Sequence, residues 1–150
     1  MPDRGAVWVV SATVVGLGLV LAACGSTYSG RTLSQQVTSW ATTAGFSASV
    51  SLLQGDLRRI GAAEGDRAPV STDCNVLVYD ALSANQNLPT PDPTLTTLLS
   101  TAYSIAGEAG HDCLSGAADS ARDVRSATER SSARRDLIKA LARFDAVTTG

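Results

Sequence analysis

Apolar residues along this chain recur at helical spacing. Leu33, Val37, Trp40 and Ala44 fall at i, i+4, i+7 and i+11, one face of a helix that begins near Thr32. Gly45 interrupts the pattern. Val50, Leu53, Leu57 and Ile60 resume it at i, i+3, i+7 and i+10, as the same helix kinked or as a second one. Residues 61–69 have the composition of a loop. Beyond them Cys74, Leu77, Val78, Ala81 and Leu82 complete a stripe at i, i+3, i+4, i+7 and i+8, with Thr72 and Asp73 as N-cap candidates. A short strand over 76–79 competes, because Val and Tyr favour strands. The unbroken stripe and the cap favour helix.

Residues 85–93 read as a turn or an extended linker. Pro89, Pro91 and Pro93 forbid a continuous helix there. Asp92 then caps a new helix, with Pro93 at its first position. Leu95, Leu98, Leu99, Ala102, Ile105 or Ala106, Ala109 and Cys113 make the longest stripe in the chain, and Gly107 and Gly110 weaken its far end. In the last segment Leu137, Leu141 and Phe144, with Ile138, form a clear stripe. Its lead-in, 120–132, has only Val124 and Ala127 as apolar residues, so it is an exposed helix or a frayed one. The expected fold is all-α, a small antiparallel bundle of about four helices.

The N-terminus has a different organisation. Arg4, Asp3 and the amino group give a weakly positive start. The apolar run 6–21 is short for a membrane-crossing helix and slightly long for the core of a signal peptide. It ends in Leu21-Ala22-Ala23-Cys24-Gly25. Leu21 suits an apolar peptidase subsite, and Ala22 and Ala23 let the backbone enter an active site. Cys24 supplies a thiolate for a thioether. This stretch resembles the lipobox of bacterial lipoproteins. The resemblance implies cleavage between Ala23 and Cys24, diacylglycerol on Cys24, often an acyl chain on the new amino terminus, and firm anchoring by two or three chains. It divides the chain into a signal peptide at 1–23, a lipidated flexible tether at 24–31 and a helical domain at 32–150. It places that domain on the outer face of the cytoplasmic membrane. An ordinary signal peptide, or an uncleaved anchor with Cys24 as a plain thiol, is the competing reading. The excess of Arg over Lys with abundant Ala, Gly, Ser and Thr is similar to chains from high-GC actinobacteria. The chain as a whole resembles the small actinobacterial lipoproteins of unassigned function, specifically over 1–30 and diffusely beyond.

The chain has 3 cysteines, an odd number to explain in an exported protein. With Cys24 given to lipid, Cys74 and Cys113 remain as a structural disulfide. A ring of about 40 residues contributes on the order of 4 kcal/mol by chain-entropy reasoning. A redox pair is usually closer in sequence, and a metal site needs more ligands than two Cys and one His.

The formal net charge of −2 argues against nucleic-acid binding by the whole domain. The charge is uneven. Glu64, Asp66, Asp73, Asp80, Asp92, Glu108 and Asp112 face a single base, Arg67, in the middle of the chain. Arg122, Arg125, Arg130, Arg134, Arg135, Lys139 and Arg143 crowd the last helix. Either the last helix lies beside acidic neighbours or it turns a basic face to anionic lipid headgroups. His111 is the sole histidine. No nucleophile elbow, phosphate loop or spaced carboxylate pair accompanies it. No catalytic residue, metal or cofactor is expected, and no ligand-binding residue is assigned. The expected function is a non-catalytic binding or interaction module of the cell envelope. It would meet the membrane through Cys24 and an envelope protein through an exposed patch. The alternative is a carrier or sensor of a small apolar ligand, enclosed between helices by Leu, Val and Trp40.

Overall fold

The computed structural model describes residues 30–62, 67–116 and 119–150. Among the described residues there are five helices and no strand: α1 (Leu33–Thr43), α2 (Phe46–Ala62), α3 (Arg67–Asn85), α4 (Pro93–Gly116) and α5 (Ser120–Thr149). The all-α bundle matches the sequence reading. The count exceeds the expected one because Gly45 separates α1 from α2. Its φ of +60° is the left-handed conformation that ends a helix and that glycine adopts without a Cβ penalty. Upstream, Thr32 and Gln35 form a reciprocal capping box that starts α1 where the periodicity places it.

The second correction concerns α3. It begins at Arg67, not at Thr72 or Asp73. Pro69 falls in its first turn, where the missing N–H has no intrahelical partner to lose. Asp73 therefore does not cap. Its carboxylate pairs with Arg59 of α2 at 3.3 Å. The strand alternative over 76–79 is excluded, since these residues are helical.

The start of α4 follows the sequence closely. Asp92 Oδ1 accepts from the backbone N–H of Leu95 at 2.6 Å, with Pro93 opening the helix. Along α4, Leu95, Leu99, Ala102, Ala106 and Ala109 are fully buried. Val50, Leu53, Leu57 and Ile60 of α2 are buried as their spacing requires, and so are Cys74 and Leu77 of α3 and Leu137 of α5. The rings of Trp40, Phe46 and Phe144 pack in series at tilted angles, with centroids 5.4 and 4.9 Å apart, and tie α1, α2 and α5 together.

α4 lies between α3 and α5. It runs antiparallel to α5 in a fixed register. Ser126 Oγ donates to the carbonyl of Ala109, and 17 residues further on Arg143 meets Asp92. It runs antiparallel to α3 through the Cys74–Cys113 disulfide, whose Cα atoms are 6.0 Å apart. Gly110 allows that approach. A Cβ there would stand 2.6 Å from Val78 Cγ2 and 3.0 Å from the carbonyl oxygen of Cys74. α5 is helical throughout, so 120–132 is not frayed. Ile138 departs from the expected stripe: Leu137 is buried, whereas Ile138 is 62% exposed on the outer face. Among the described residues no helix is long and apolar enough to cross a membrane.

Candidate functional site

Ala23 and Cys24, the expected cleavage and lipidation residues, lie outside the described residues. Cys74 and Cys113 are joined as expected, with Cys74 fully buried. The disulfide occupies the thiol next to His111, and Asp112 pairs with Arg125 at 2.6 Å. His111 itself is exposed, at the lip of a groove between α3 and α4.

That groove has a volume of about 370 Å³ and is open to solvent along one side. Val78, Ala81 and Leu82 form its α3 wall; Tyr103, Gly107, Glu108 and His111 form its α4 wall. Tyr103 is almost fully buried, and burial pushes its phenol up to about 12. Ser104 Oγ donates to Glu108 Oε1 at 3.4 Å. His111 and Glu108 share the groove, and Ser115 Oγ donates to the backbone carbonyl of His111 at 3.0 Å. Among the described residues no hydrogen bond links the His111 imidazole to a hydroxyl or to a carboxylate.

Beside the groove α3 carries an apolar ridge. Val76, Tyr79 and Leu82 recur every three residues and are 36%, 71% and 58% exposed. The buried stripe of α3, Cys74, Leu77, Ala81 and Ala84, lies on the other side of the helix. α3 is thus apolar on two faces. Leu82, which the periodicity places with the core, belongs to the outer one.

A second open groove, of about 390 Å³, runs between Trp40 of α1 and Pro89 and Pro91 of the linker. The Trp40 indole N–H donates to the carbonyl of Asn87 at 2.9 Å, so its polar edge closes the linker onto α1.

Two acidic groups stand out in the packing. Asp56 of α2 has no accessible surface, and one carboxylate oxygen ion-pairs with Arg59. Its other oxygen, Oδ2, is met by no donor. Burial, then the facing carboxyl of Asp80 on α3, pushes Asp56 up to about 6; Arg59 acts in the opposite sense. The second is Glu129 of α5, raised first by burial and then by Asp112 and Glu108.

The basic residues of α5 are largely matched to acids. Arg125 pairs with Asp112 and Arg143 with Asp92, both across to the α4 side. Arg122 pairs with Asp119, and Lys139 with Asp136. Arg130 is buried and donates to Ser126. Internal complementarity with the acidic middle of the chain therefore accounts for two of these bases, Arg125 and Arg143, and partners within the last segment for Arg122 and Lys139. Arg134 and Arg135 differ: among the described residues neither pairs with a carboxylate, and Arg135 reaches only the Ser132 hydroxyl at 2.9 Å.

Among the described residues no group of three or more His, Cys, Asp or Glu could hold a metal ion. No protein family, curated protein or solved structure matches this chain.

Proposed function

We propose that this chain is an extracytoplasmic lipoprotein, held to the membrane by lipid on Cys24, and that its helical domain is a non-catalytic interaction module of the cell envelope. Support for the anchor comes from the Leu21-Ala22-Ala23-Cys24 motif after an apolar run. It comes also from the cysteine arithmetic, since Cys74 and Cys113 pair and leave Cys24 alone. The observation that carries the interaction reading is the ridge of Val76, Tyr79 and Leu82 beside the open α3–α4 groove. Large apolar side chains grouped on one solvent-facing ridge, with polar groups at its edge, are a usual mark of a docking surface.

The carrier alternative has less support. The two grooves are open rather than enclosed, and Trp40 is committed to Asn87 and Phe46. A photoreactive amino acid introduced at Tyr79, in intact cells, tests the interaction reading. A discrete protein adduct from position 79, with none from the exposed position 142 on α5, is the expected result. Equal labelling from both positions, or none from either, would count against it.

A further inference from the structure

The outer face of α5 exposes two large apolar side chains, Val124 and Ile138. Val124, Ser131, Arg135, Ile138, Ala142 and, at the C-terminal end, the exposed Asp145 share one side of the helix, opposite the buried Ser126, Ala133, Leu137 and Ala140. Val124 and Ile138 are 69% and 62% exposed, and about 21 Å of helix separates them. One turn before Ile138 stand Arg134 and Arg135, the two exposed α5 bases without a carboxylate partner. Apolar tips beside uncompensated arginines on one helix face suit the boundary of an anionic bilayer, where the arginines meet phosphates and the apolar tips enter the headgroup layer.

The connection to the anchor points the same way. Only residues 25–31 separate Cys24 from the Thr32 cap, a reach of about 25 Å at full extension. Ser34 Oγ donates to the carbonyl of Thr148, so the tether enters beside the C-terminal end of α5. A domain held that close meets the bilayer at high effective concentration, so weak contacts suffice to orient it. Each basic side chain near an anionic leaflet biases orientation by about fivefold, and two by about thirtyfold.

We propose that the outer face of α5, through Arg134, Arg135, Val124 and Ile138, rests on the anionic lipid surface and turns the α3 ridge away from the membrane. The ridge and this face lie on opposite flanks of α4, so one contact fixes the direction of the other. The inference rests on the anchoring reading, and its test separates the two. Full-length lipidated protein is reconstituted into vesicles of phosphatidylcholine alone or mixed with phosphatidylglycerol. A fluorescent amino acid is placed at Ile138 or at Tyr79, and spin-labelled lipid is the quencher. Quenching at 138 should exceed that at 79 several-fold, only with phosphatidylglycerol, and should fall with added salt. It should also vanish in Arg134→Glu/Arg135→Glu, which still floats with the vesicles. Equal quenching at both positions in floating protein overturns the orientation and leaves the anchor intact. Protein that fails to float overturns the anchor. Shielding of 138 that grows with protein concentration in detergent, without lipid, assigns this face to a second copy and overturns the proposal.

Discussion

Arg143 closes a fork on Asp92, with Nε at 3.2 Å from Oδ1 and Nη2 at 2.6 Å from Oδ2. The same carboxylate accepts from the Leu95 amide, so one side chain caps α4 and ties it to the end of α5. Hydrogen bonding to Arg143, with help from the Leu95 and Thr94 amides, holds Asp92 below the usual carboxylate range against its burial.

Loss of that cap should be measurable. Asp92→Ala is expected to cost about 1–2 kcal/mol in urea unfolding, and Asp92→Asn less, because the amide oxygen can still accept from Leu95. Since the folded carboxylate is the more acidic one, its contribution is full above the ordinary carboxylate range and disappears as pH falls through that range. Wild type should therefore lose more stability on acidification than Asp92→Asn. Parallel acid profiles would contradict the assigned role.

Asp56 has the opposite sign. Its folded value of about 6 lies above the ordinary 3.8, so the proton is held more tightly in the fold. The groups around it are Arg59 on its own helix and Asp73 and Asp80 on α3. Its stabilising contribution is full at low pH and is lost as pH rises through about 6. Asp56→Asn keeps the shape and offers Asp80 a donor. Above neutral pH this variant is expected to be more stable than wild type by on the order of 1–3 kcal/mol, with the difference shrinking toward pH 5. Thermal unfolding across this range measures it, and a difference independent of pH would contradict the assignment of a tightly held proton to Asp56.

Two glycines of α4 should respond oppositely to alanine. At Gly107 a Cβ meets only Ala81 Cβ at 3.9 Å, so Gly107→Ala should gain up to about 1 kcal/mol from helix propensity. At Gly110 it would press into Val78 and the Cys74 carbonyl, and Gly110→Ala should lose about 1–3 kcal/mol despite the same propensity gain. Denaturant titration of the two variants checks the α3–α4 contact directly.

The disulfide spans 39 positions of sequence. Its removal by Cys74→Ser/Cys113→Ser should cost on the order of 4 kcal/mol, whereas Cys24→Ser should leave the stability of the helical domain unchanged. Unfolding curves with and without reductant make the comparison. Equal behaviour of all three cysteine positions would contradict the division of labour among them.

The parts of the fold legible in the sequence are those where local chemistry and packing agree. The helix start near Thr32, Asp92 with Pro93, and the Val50-to-Ile60 stripe all signal structure through residues close in sequence, and all hold. The start of α3 misled because Pro69 inside a glycine-bearing stretch has loop composition, yet a first-turn proline costs a helix nothing. Leu82 and Ile138 misled for a different reason. Each continues a stripe at acceptable spacing, and only the positions of neighbouring helices decide which edge of the stripe is covered. Asp56 carries a signal of its burial in the sequence: it sits three residues after Leu53, one before Leu57 and four before Ile60, on the face that is buried. The groove and the ridge depend on α3 being apolar on two sides, and periodicity alone cannot assign the second side.

The central claim is that this helical domain hangs from the membrane by lipid on Cys24. The most direct test is intact mass of the protein purified from membranes, with and without reductant. The account predicts a chain that begins at Cys24, carries added acyl mass and gains two hydrogen atoms when the reductant opens the Cys74–Cys113 disulfide. A mass that begins at Met1, or at any other residue without lipid, would contradict it and reopen the pairing of all three cysteines.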